Sequence, residues 1–238
     1  KDFEVLQQDH ENPYDDRINT AITDFGIQTL GYEEEYLTVA ELRFYEKTLN
    51  AKLVPYNEKI HQFRSSKEEW ELELMKKAQE ITDLAFSEVL GRIQPGMTEK
   101  QVQAELIYCM LKNGADGPAF SPIVVSGPKT SLPHGVPGDR VIQAGEFITM
   151  DFGALYQGYC ADMTRTVAVG YATEEMQKVY NTVLEAQLAG IAAAKAGLPG
   201  KAVDNTARKV IEDAGYGEFF GHGFGHSVGL EIHERPNC

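Results

Sequence analysis

The chain has 238 residues, of which 42% are hydrophobic and 24% charged, as in an ordinary globular protein of one large domain or two smaller ones. This composition excludes the collagen-like, disulfide-dense and wholly disordered classes. The net charge of −14 argues against a nucleic-acid partner, and no apolar run is long enough to predict a membrane-spanning helix. Three cysteines form no disulfide framework and predict a reducing, cytoplasmic compartment.

Residues 1–63 are predicted to form part of a small α/β domain, because short helical and strand patterns alternate along them. The helical patterns cover Pro13–Phe25 and Thr38–Leu49, and the strand patterns cover Gln28–Gly31 and Ala51–Pro55. A unit this small that opens so abruptly indicates the tail of a larger domain.

A second domain is predicted over residues 64–238, and it begins with a long helix. Ser65 and Ser66 each stand three residues before a glutamate, which is the pattern of a capping box, and the apolar stripe runs on to Leu90. Thr98 begins a second capping box and a second helix.

A Pro-Gly turn at positions 95–96 separates these two helices, and the same arrangement recurs further along the chain. The Pro-Gly at positions 199–200 lies between helical patterns at Val183–Lys195 and Ala202–Asp213. The recurrence indicates an internal repeat of two similar halves. Because strand patterns fill residues 120–170 between the helical pairs, the predicted fold class is α+β.

The segment Met150–Thr166 has two strand patterns that flank a turn. A turn at positions 156–157 would make Asp151 and Asp162 direct cross-strand partners, and a turn at 157–158 would make them diagonal neighbours. Either register places both carboxylates on one face. Such a pair repels itself unless something positive neutralises it, for example two divalent cations. The alternative is a pair of solvent-exposed aspartates in a hairpin.

Half of the six histidines fall within Gly221–Glu234, as His222, His226 and His233. The even spacing of His222 and His226 places them on one face of an extended backbone, and the surrounding glycines argue against a helical zinc site. Clustered imidazoles favour a metal site over a glycine-rich loop with incidental histidines. His134 lies in a Pro/Gly turn, which by itself indicates no function.

Four motifs follow one another along the second domain. They are Pro133–Pro137 (PHGVP), Asp151–Ala154 (DFGA), Gly158–Thr166 (GYCADMTRT) and Gly225–Glu234 (GHSVGLEIHE). In this order they resemble the pita-bread metallopeptidases, the group of methionine aminopeptidase, aminopeptidase P and prolidase. The wording is most similar to the Xaa-Pro peptidases, and residues 1–63 resemble their accessory domain. The resemblance implies a pita-bread (creatinase/aminopeptidase-like) catalytic domain over residues 64–238, with an internal pseudo-twofold repeat.

The resemblance also implies a reaction, namely hydrolysis of the Xaa-Pro bond of dipeptides or short peptides by a metal-bridged hydroxide in a homodimer. It implies two divalent metal ions, with manganese the first expectation and cobalt or zinc the alternatives. The implied metal ligands are Asp151, Asp162 and His226. The histidines implied to hold substrate and to stabilise the tetrahedral intermediate are His134, His222 and His233.

One feature departs from the family pattern. The two remaining glutamate ligands of the family lie well downstream of the histidine motif, whereas the glutamates after His226 are Glu231 and Glu234, neither in the expected context. We therefore expect a fragment that lacks both chain ends. Dipeptidase and aminopeptidase P activity are not separated by the sequence. The other candidates are a methionine aminopeptidase and a metal-free protein-binding module of the same fold.

Overall fold

The computed structural model describes residues 5–238, so residues 1–4 of the predicted first domain lie outside the described part. The chain divides into two compact units, Lys1–Arg64 and Ser65–Cys238. Between residues 5 and 238, every helix is too short or too polar to cross a membrane.

The first unit contains a parallel pair of strands with a helix between them in sequence. Strand β1 pairs with β2 so that Thr29 lies opposite Lys52. The helix between them starts at a capping box in which Thr38 accepts a hydrogen bond from the Glu41 amide. The predicted helices and strands are confirmed within a few residues, and a further helix, α3, was not predicted. The elements are α1 (Tyr14–Asp24), β1 (Thr29–Tyr32), α2 (Val39–Thr48), β2 (Lys52–Pro55) and α3 (Asn57–Ser65).

Two pairs of helices frame the second unit. Thr98 caps the second helix as predicted, through a hydrogen bond of 3.2 Å from the Gln101 amide to its hydroxyl. The predicted cap of the first helix is wrong, because α3 runs through Ser65 and Glu68 forms the capping box instead. The helices are α4 (Glu69–Leu90), α5 (Glu99–Lys112), α6 (Glu174–Ala193) and α7 (Gly200–Asp213).

The two Pro-Gly turns of the predicted repeat have different local structures. Gly96 adopts a φ of 97° in the turn before α5, whereas Gly200 is itself the first residue of α7. Helix α6 also begins nine residues earlier than the predicted Val183. Its true start is at Thr173, whose hydroxyl accepts a hydrogen bond from the Met176 amide. The apolar stripe of this helix already begins at Met176, Val179 and Tyr180, so the predicted start at Val183 was too late.

The strands of the second unit form small antiparallel sheets. Strand β5 lies between β4 and β8, strand β6 lies between β3 and β7, and β9 pairs with β10. The strands are β3 (Gly117–Pro118), β4 (Ile123–Ser126), β5 (Glu146–Phe152), β6 (Ala154–Tyr156), β7 (Tyr159–Cys160), β8 (Met163–Val169), β9 (His226–Ser227) and β10 (Glu234–Asn237).

The main core lies between helices α4 and α5 and one face of the β4–β5–β8 sheet. Ile81 from α4 and Leu106 from α5 are fully buried with Met150 and Phe152 of β5. Because side chains alternate along a strand, this packing directs Asp151 of β5 to the opposite face. Burial of β5 on one side thus fixes where its carboxylate can point.

Gly153 separates β5 from β6 at a point where two backbones come very close. A Cβ atom on Gly153 would lie 1.7 Å from the Ala161 carbonyl oxygen. The neighbouring Ala161 amide donates a hydrogen bond of 2.9 Å to the Ala154 carbonyl. Only glycine therefore permits this crossing, which lies between Asp151 and Asp162.

We predict that Gly153→Ala will lower the free energy of unfolding by about 3 kcal/mol, the upper part of the usual range for a side chain forced into filled space. The colliding atom is backbone, so it cannot rotate away. Gly117→Ala is the matched control, because a Cβ there has no neighbour within 4 Å. Thermal unfolding of both variants checks the prediction, and equal melting temperatures would contradict it.

Helices α4 and α5 are joined at their ends by a network around Glu88. Its carboxylate accepts hydrogen bonds from Lys112 Nζ at 2.8 Å and from Asn113 Nδ2 at 3.0 Å. These bonds, with the positive charge of Lys112, lower the pKa of Glu88 to about 2. A lowered carboxyl pKa means that the ionised form stabilises the fold.

The Glu88 network predicts a specific dependence of stability on pH. The stabilisation is present above the ordinary pKa of 4.5 and is lost as the pH falls towards about 2. We therefore expect Glu88→Gln to lower the melting temperature at pH 7, with a deficit that shrinks over this acid range. Melting curves of both proteins from pH 7 to pH 2.5 test this, and a deficit that does not change with pH would contradict it.

Candidate metal centre and its histidines

The two aspartates of the hairpin lie on one face as diagonal neighbours. Asp151 pairs with Thr164 across β5 and β8, and Asp162 precedes Thr164 by two residues, so it is the diagonal neighbour of Asp151. The turn residues Gln157 and Gly158 both have positive φ, 47° and 86°, as a two-residue hairpin turn requires. This confirms the second of the two predicted registers.

Burial and mutual repulsion make the charges of the two carboxylates unfavourable. Burial raises the pKa of Asp151 above its usual range, and the nearby charge of Asp162 raises it further. Burial also raises the pKa of Asp162. The Thr164 hydroxyl donates a hydrogen bond of 2.9 Å to Asp151 Oδ1 and offsets part of this effect. The site therefore favours a bound positive charge.

His226 stands beside the aspartates with one ring nitrogen turned to them. Its Nε2 lies 3.3 Å from Asp162 Oδ2, and the imidazole charge counteracts the rise in the pKa of Asp162. Its Nδ1 lies 3.0 Å from the Ser227 carbonyl oxygen. Because a carbonyl only accepts, Nδ1 carries the hydrogen, which is the arrangement that leaves Nε2 free to bind a metal.

The other three predicted histidines make two ring contacts, one of them with His226. The ring centroids of His226 and His233 are 4.3 Å apart, and those of His134 and His222 are 5.7 Å apart. Burial and the neighbouring His226 lower the pKa of His233, which favours the neutral form of its imidazole. His134 has a small electrostatic effect on Asp151 that opposes the rise in the pKa of this carboxyl caused by burial.

Three of the supporting residues were not found by sequence reasoning. Arg208 of α7 donates hydrogen bonds of 2.9 Å to the carbonyls of Phe220 and His222, and so fixes the segment that carries His222. Its partner Asp204 accepts a hydrogen bond from the Phe224 amide. Thr164, which binds Asp151, is the third. These residues stand outside the motifs or look like ordinary polar positions, so only helix i, i+4 spacing of Asp204 and Arg208 hinted at them.

Of the two glutamates after His226, Glu234 forms a buried ion pair and also contacts the backbone of Glu231. Glu234 is buried, and its Oε2 lies 2.8 Å from Lys67 Nζ, an ion pair whose side chains are only 4% and 11% exposed. Its Oε1 accepts a hydrogen bond from the Glu231 amide. The Lys67–Glu234 pair anchors the chain directly after His233. Lys67 neutralises the charge of the Glu234 carboxylate without a metal ion.

Comparison with known proteins identifies the family. The model of metallopeptidase family M24 matches residues 73–238. The chain belongs to this family. It is 42% identical over 214 residues to an Xaa-Pro dipeptidase of Pyrococcus horikoshii, a match that covers 89% of the chain and 60% of that protein.

Solved structures of M24-type peptidases share its fold. An Xaa-Pro dipeptidase from Bacillus anthracis superposes with a TM-score of 0.90 at 43% identity, over 94% of this chain and 63% of that one. An X-Pro aminopeptidase from Thermotoga maritima gives 0.89 at 42% identity, over 98% and 65%. The chain thus spans somewhat less than two thirds of these relatives. The predicted α+β pita-bread fold is confirmed.

Family M24 implies divalent metal ions, and the residues of the hairpin fit them chemically. Two partly buried carboxylates and one imidazole nitrogen are oxygen and nitrogen donors suited to divalent cations, and their unfavourable negative charge would be neutralised. Within residues 5–238, no group of three or more His, Cys, Asp or Glu side chains is arranged closely enough to enclose an ion by itself. The donor types fit, and further donors are needed to complete the coordination.

The unfavourable negative charge of the two aspartates predicts that one substitution will affect the melting temperature differently with and without metal. Asp151→Asn removes a partly buried charge beside Asp162, so we expect a higher melting temperature than wild type in chelator at pH 7. The same variant should lose the rise in melting temperature that added Mn²⁺ gives the wild type. The exposed Asp24→Asn is the control and should change neither value. A lower melting temperature of Asp151→Asn in chelator would contradict the prediction.

Proposed function

We propose that the complete protein hydrolyses the Xaa-Pro bond at the N-terminus of dipeptides or short peptides. The main support is the convergence of Asp151, Asp162 and His226 on one face of a hairpin, with His134 and His233 nearby. The named relatives, an Xaa-Pro dipeptidase and an X-Pro aminopeptidase, support this substrate class.

Two divalent metal ions, with manganese the first choice, complete the proposed site. Asp151, Asp162 and His226 would hold them, together with donors other than Glu231 and Glu234. When bound, such ions polarise a carbonyl and lower the pKa of water, which makes a nucleophile available near neutral pH. The oxygen-rich donor set is the reason for preferring manganese, and cobalt and zinc are the alternatives.

The histidines are assigned to substrate. The lowered pKa of His233 favours its neutral imidazole, which has one N–H to donate to the oxygen on which negative charge develops. His134 and His222, whose rings are neighbours, hold the substrate. The acidic site attracts the free ammonium of the substrate. Proline suits it as the second residue because its ring has a fixed shape and its nitrogen carries no hydrogen.

The proposal includes a homodimer and a cytoplasmic location. The homodimer rests on the family resemblance, since the donors or walls that distinguish a dipeptidase from an aminopeptidase P can come from a neighbouring subunit. The location rests on the cysteines Cys109, Cys160 and Cys238, which are free thiols in the structure and suit a reducing compartment.

The test uses the complete natural protein supplied with Mn²⁺, and compares cleavage of Ala-Pro, Ala-Pro-Ala and Met-Ala-Ser with and without chelator. We expect chelator-sensitive cleavage of Ala-Pro or Ala-Pro-Ala. Asp162→Asn should lower the rate roughly ten-thousandfold or more, the scale of losing one member of a catalytic set. Asp24→Asn serves again as the control and should leave the rate unchanged.

The outcomes separate the competing functions. Cleavage of the dipeptide alone identifies a dipeptidase, and cleavage of the tripeptide identifies an aminopeptidase P. Preferential cleavage of Met-Ala-Ser would overturn the proposal in favour of a methionine aminopeptidase. No cleavage together with no bound or bindable divalent ion would favour a protein-binding module.

A further inference from the structure

Glu99 is a buried carboxylate outside the site described above. It is the first residue of α5, and its side chain is fully buried. Removing a carboxylate from water costs several kcal/mol unless hydrogen bonds and charges replace the water. A well-packed apolar side chain would often be as stable, so the retained charge calls for a role that depends on its hydrogen bonds.

The hydrogen bonds of Glu99 all lead to one loop, residues 126–138, which carries His134. Oε1 accepts hydrogen bonds from the Ser126 amide at 2.9 Å and from the Ser126 hydroxyl at 3.0 Å. Oε2 accepts hydrogen bonds from the Gly138 amide at 2.9 Å and from Lys129 Nζ at 2.6 Å. One carboxylate thus joins the first residue, the last residue and a middle residue of the loop.

We call Glu99 and Lys129, with their hydrogen bonds to the loop, the clamp. Lys129 extends it towards His134. Its ammonium group also donates a hydrogen bond of 2.9 Å to the Val136 carbonyl, two residues beyond His134. The backbone just after His134 is also pressed on the sheet, because a Cβ on Gly135 would lie 2.6 Å from Val125 Cγ1. The loop therefore has little freedom on either side of the exposed His134 imidazole.

Electrostatics favour the charged form of the clamp. Burial by itself raises the pKa of Glu99, but the hydrogen bonds from Lys129, Gly138 and Ser126 outweigh it and the pKa is lowered. The position at the N-terminus of α5 adds the favourable helix dipole. Glu99 is therefore ionised at neutral pH and bonds its partners as a carboxylate.

We propose that the Glu99–Lys129 ion pair is a positioning device for His134, which fixes both ends of the 126–138 loop so that the imidazole stays beside the aspartates and His222. This inference rests on the proposed function for its catalytic consequence. Glu99 is a positioning residue, because it acts on substrate only through His134. An exposed side chain on a loop is held only as accurately as the backbone that supports it.

The first experiment measures the loop without reference to activity. Hydrogen–deuterium exchange of the complete protein is compared for wild type, Glu99→Gln and the matched control Glu88→Gln. Both variants remove a carboxylate that pairs with a lysine. Glu99 is the first residue of α5, and Lys112, the partner of Glu88, is the last residue of α5. We expect peptides covering residues 126–138 to exchange at least tenfold faster in Glu99→Gln only. Unchanged exchange there, or equal acceleration in the control, would overturn the proposal.

The second experiment is a double-mutant cycle with His134. We expect Glu99→Gln to lower kcat/KM for the Xaa-Pro peptide by at least tenfold in wild type, and by less than twofold when His134→Ala is already present. A merely structural role would lower the rate by the same factor in both backgrounds, and that result would overturn the proposal. If Glu99→Gln fails to fold, Lys129→Met repeats both measurements, since that side chain is 32% exposed.

The two experiments keep the failures distinguishable. If wild type cleaves none of the peptides, the proposed function fails, and exchange in residues 126–138 alone decides whether Glu99 holds the loop. If wild type cleaves a peptide but the cycle is additive, the proposed function stands and the positioning role of Glu99 fails.

Discussion

The repulsion between Asp151 and Asp162 is the constraint on which the candidate site of the second unit depends. Two partly buried carboxylates are held as neighbours although burial raises the pKa of both. The fold sustains this by packing the other face of β5 into the core and by a backbone crossing at Gly153 that leaves no room for a side chain. The energy of this arrangement is recovered when positive charge is bound, which is how a protein can make metal affinity part of its folding.

The histidines around the aspartates depend on a second set of charges. The loop of His134 is fixed by Glu99 and Lys129, the segment of His222 by Asp204 and Arg208, and the chain after His233 by Glu234 and Lys67. Each pair joins an acidic and a basic side chain. The Glu99–Lys129 and Asp204–Arg208 pairs also hydrogen-bond to backbone groups, and the Lys67–Glu234 pair is buried. Glycine-rich sequence near the candidate metal centre is thus held in place by side chains contributed by regular elements.

Much of this site was accessible from the sequence, and the reasons are physical. Alternation and turn chemistry were enough to place Asp151 and Asp162 on one face, and the positive φ at Gln157 and Gly158 decided the register. The role of Glu99 was not accessible, since its partners lie 27 to 39 residues away and nothing local marks a buried acid. The cap of α4 was missed because α3 extends through Ser65. The start of α6 was placed too late at Val183, although the apolar stripe already begins at Met176, Val179 and Tyr180.

The three ion pairs that hold the histidine segments belong to different parts of the unit, at the N-terminus of α5, just before α4 and in the middle of α7. None of the three shares a residue with another. The support of each histidine segment is therefore separate, and we expect a substitution in one pair to act on one segment while the pairs that hold the other two remain intact. Under the proposed function, changes at these remote positions would act on one histidine at a time without replacing any candidate metal ligand or candidate substrate contact.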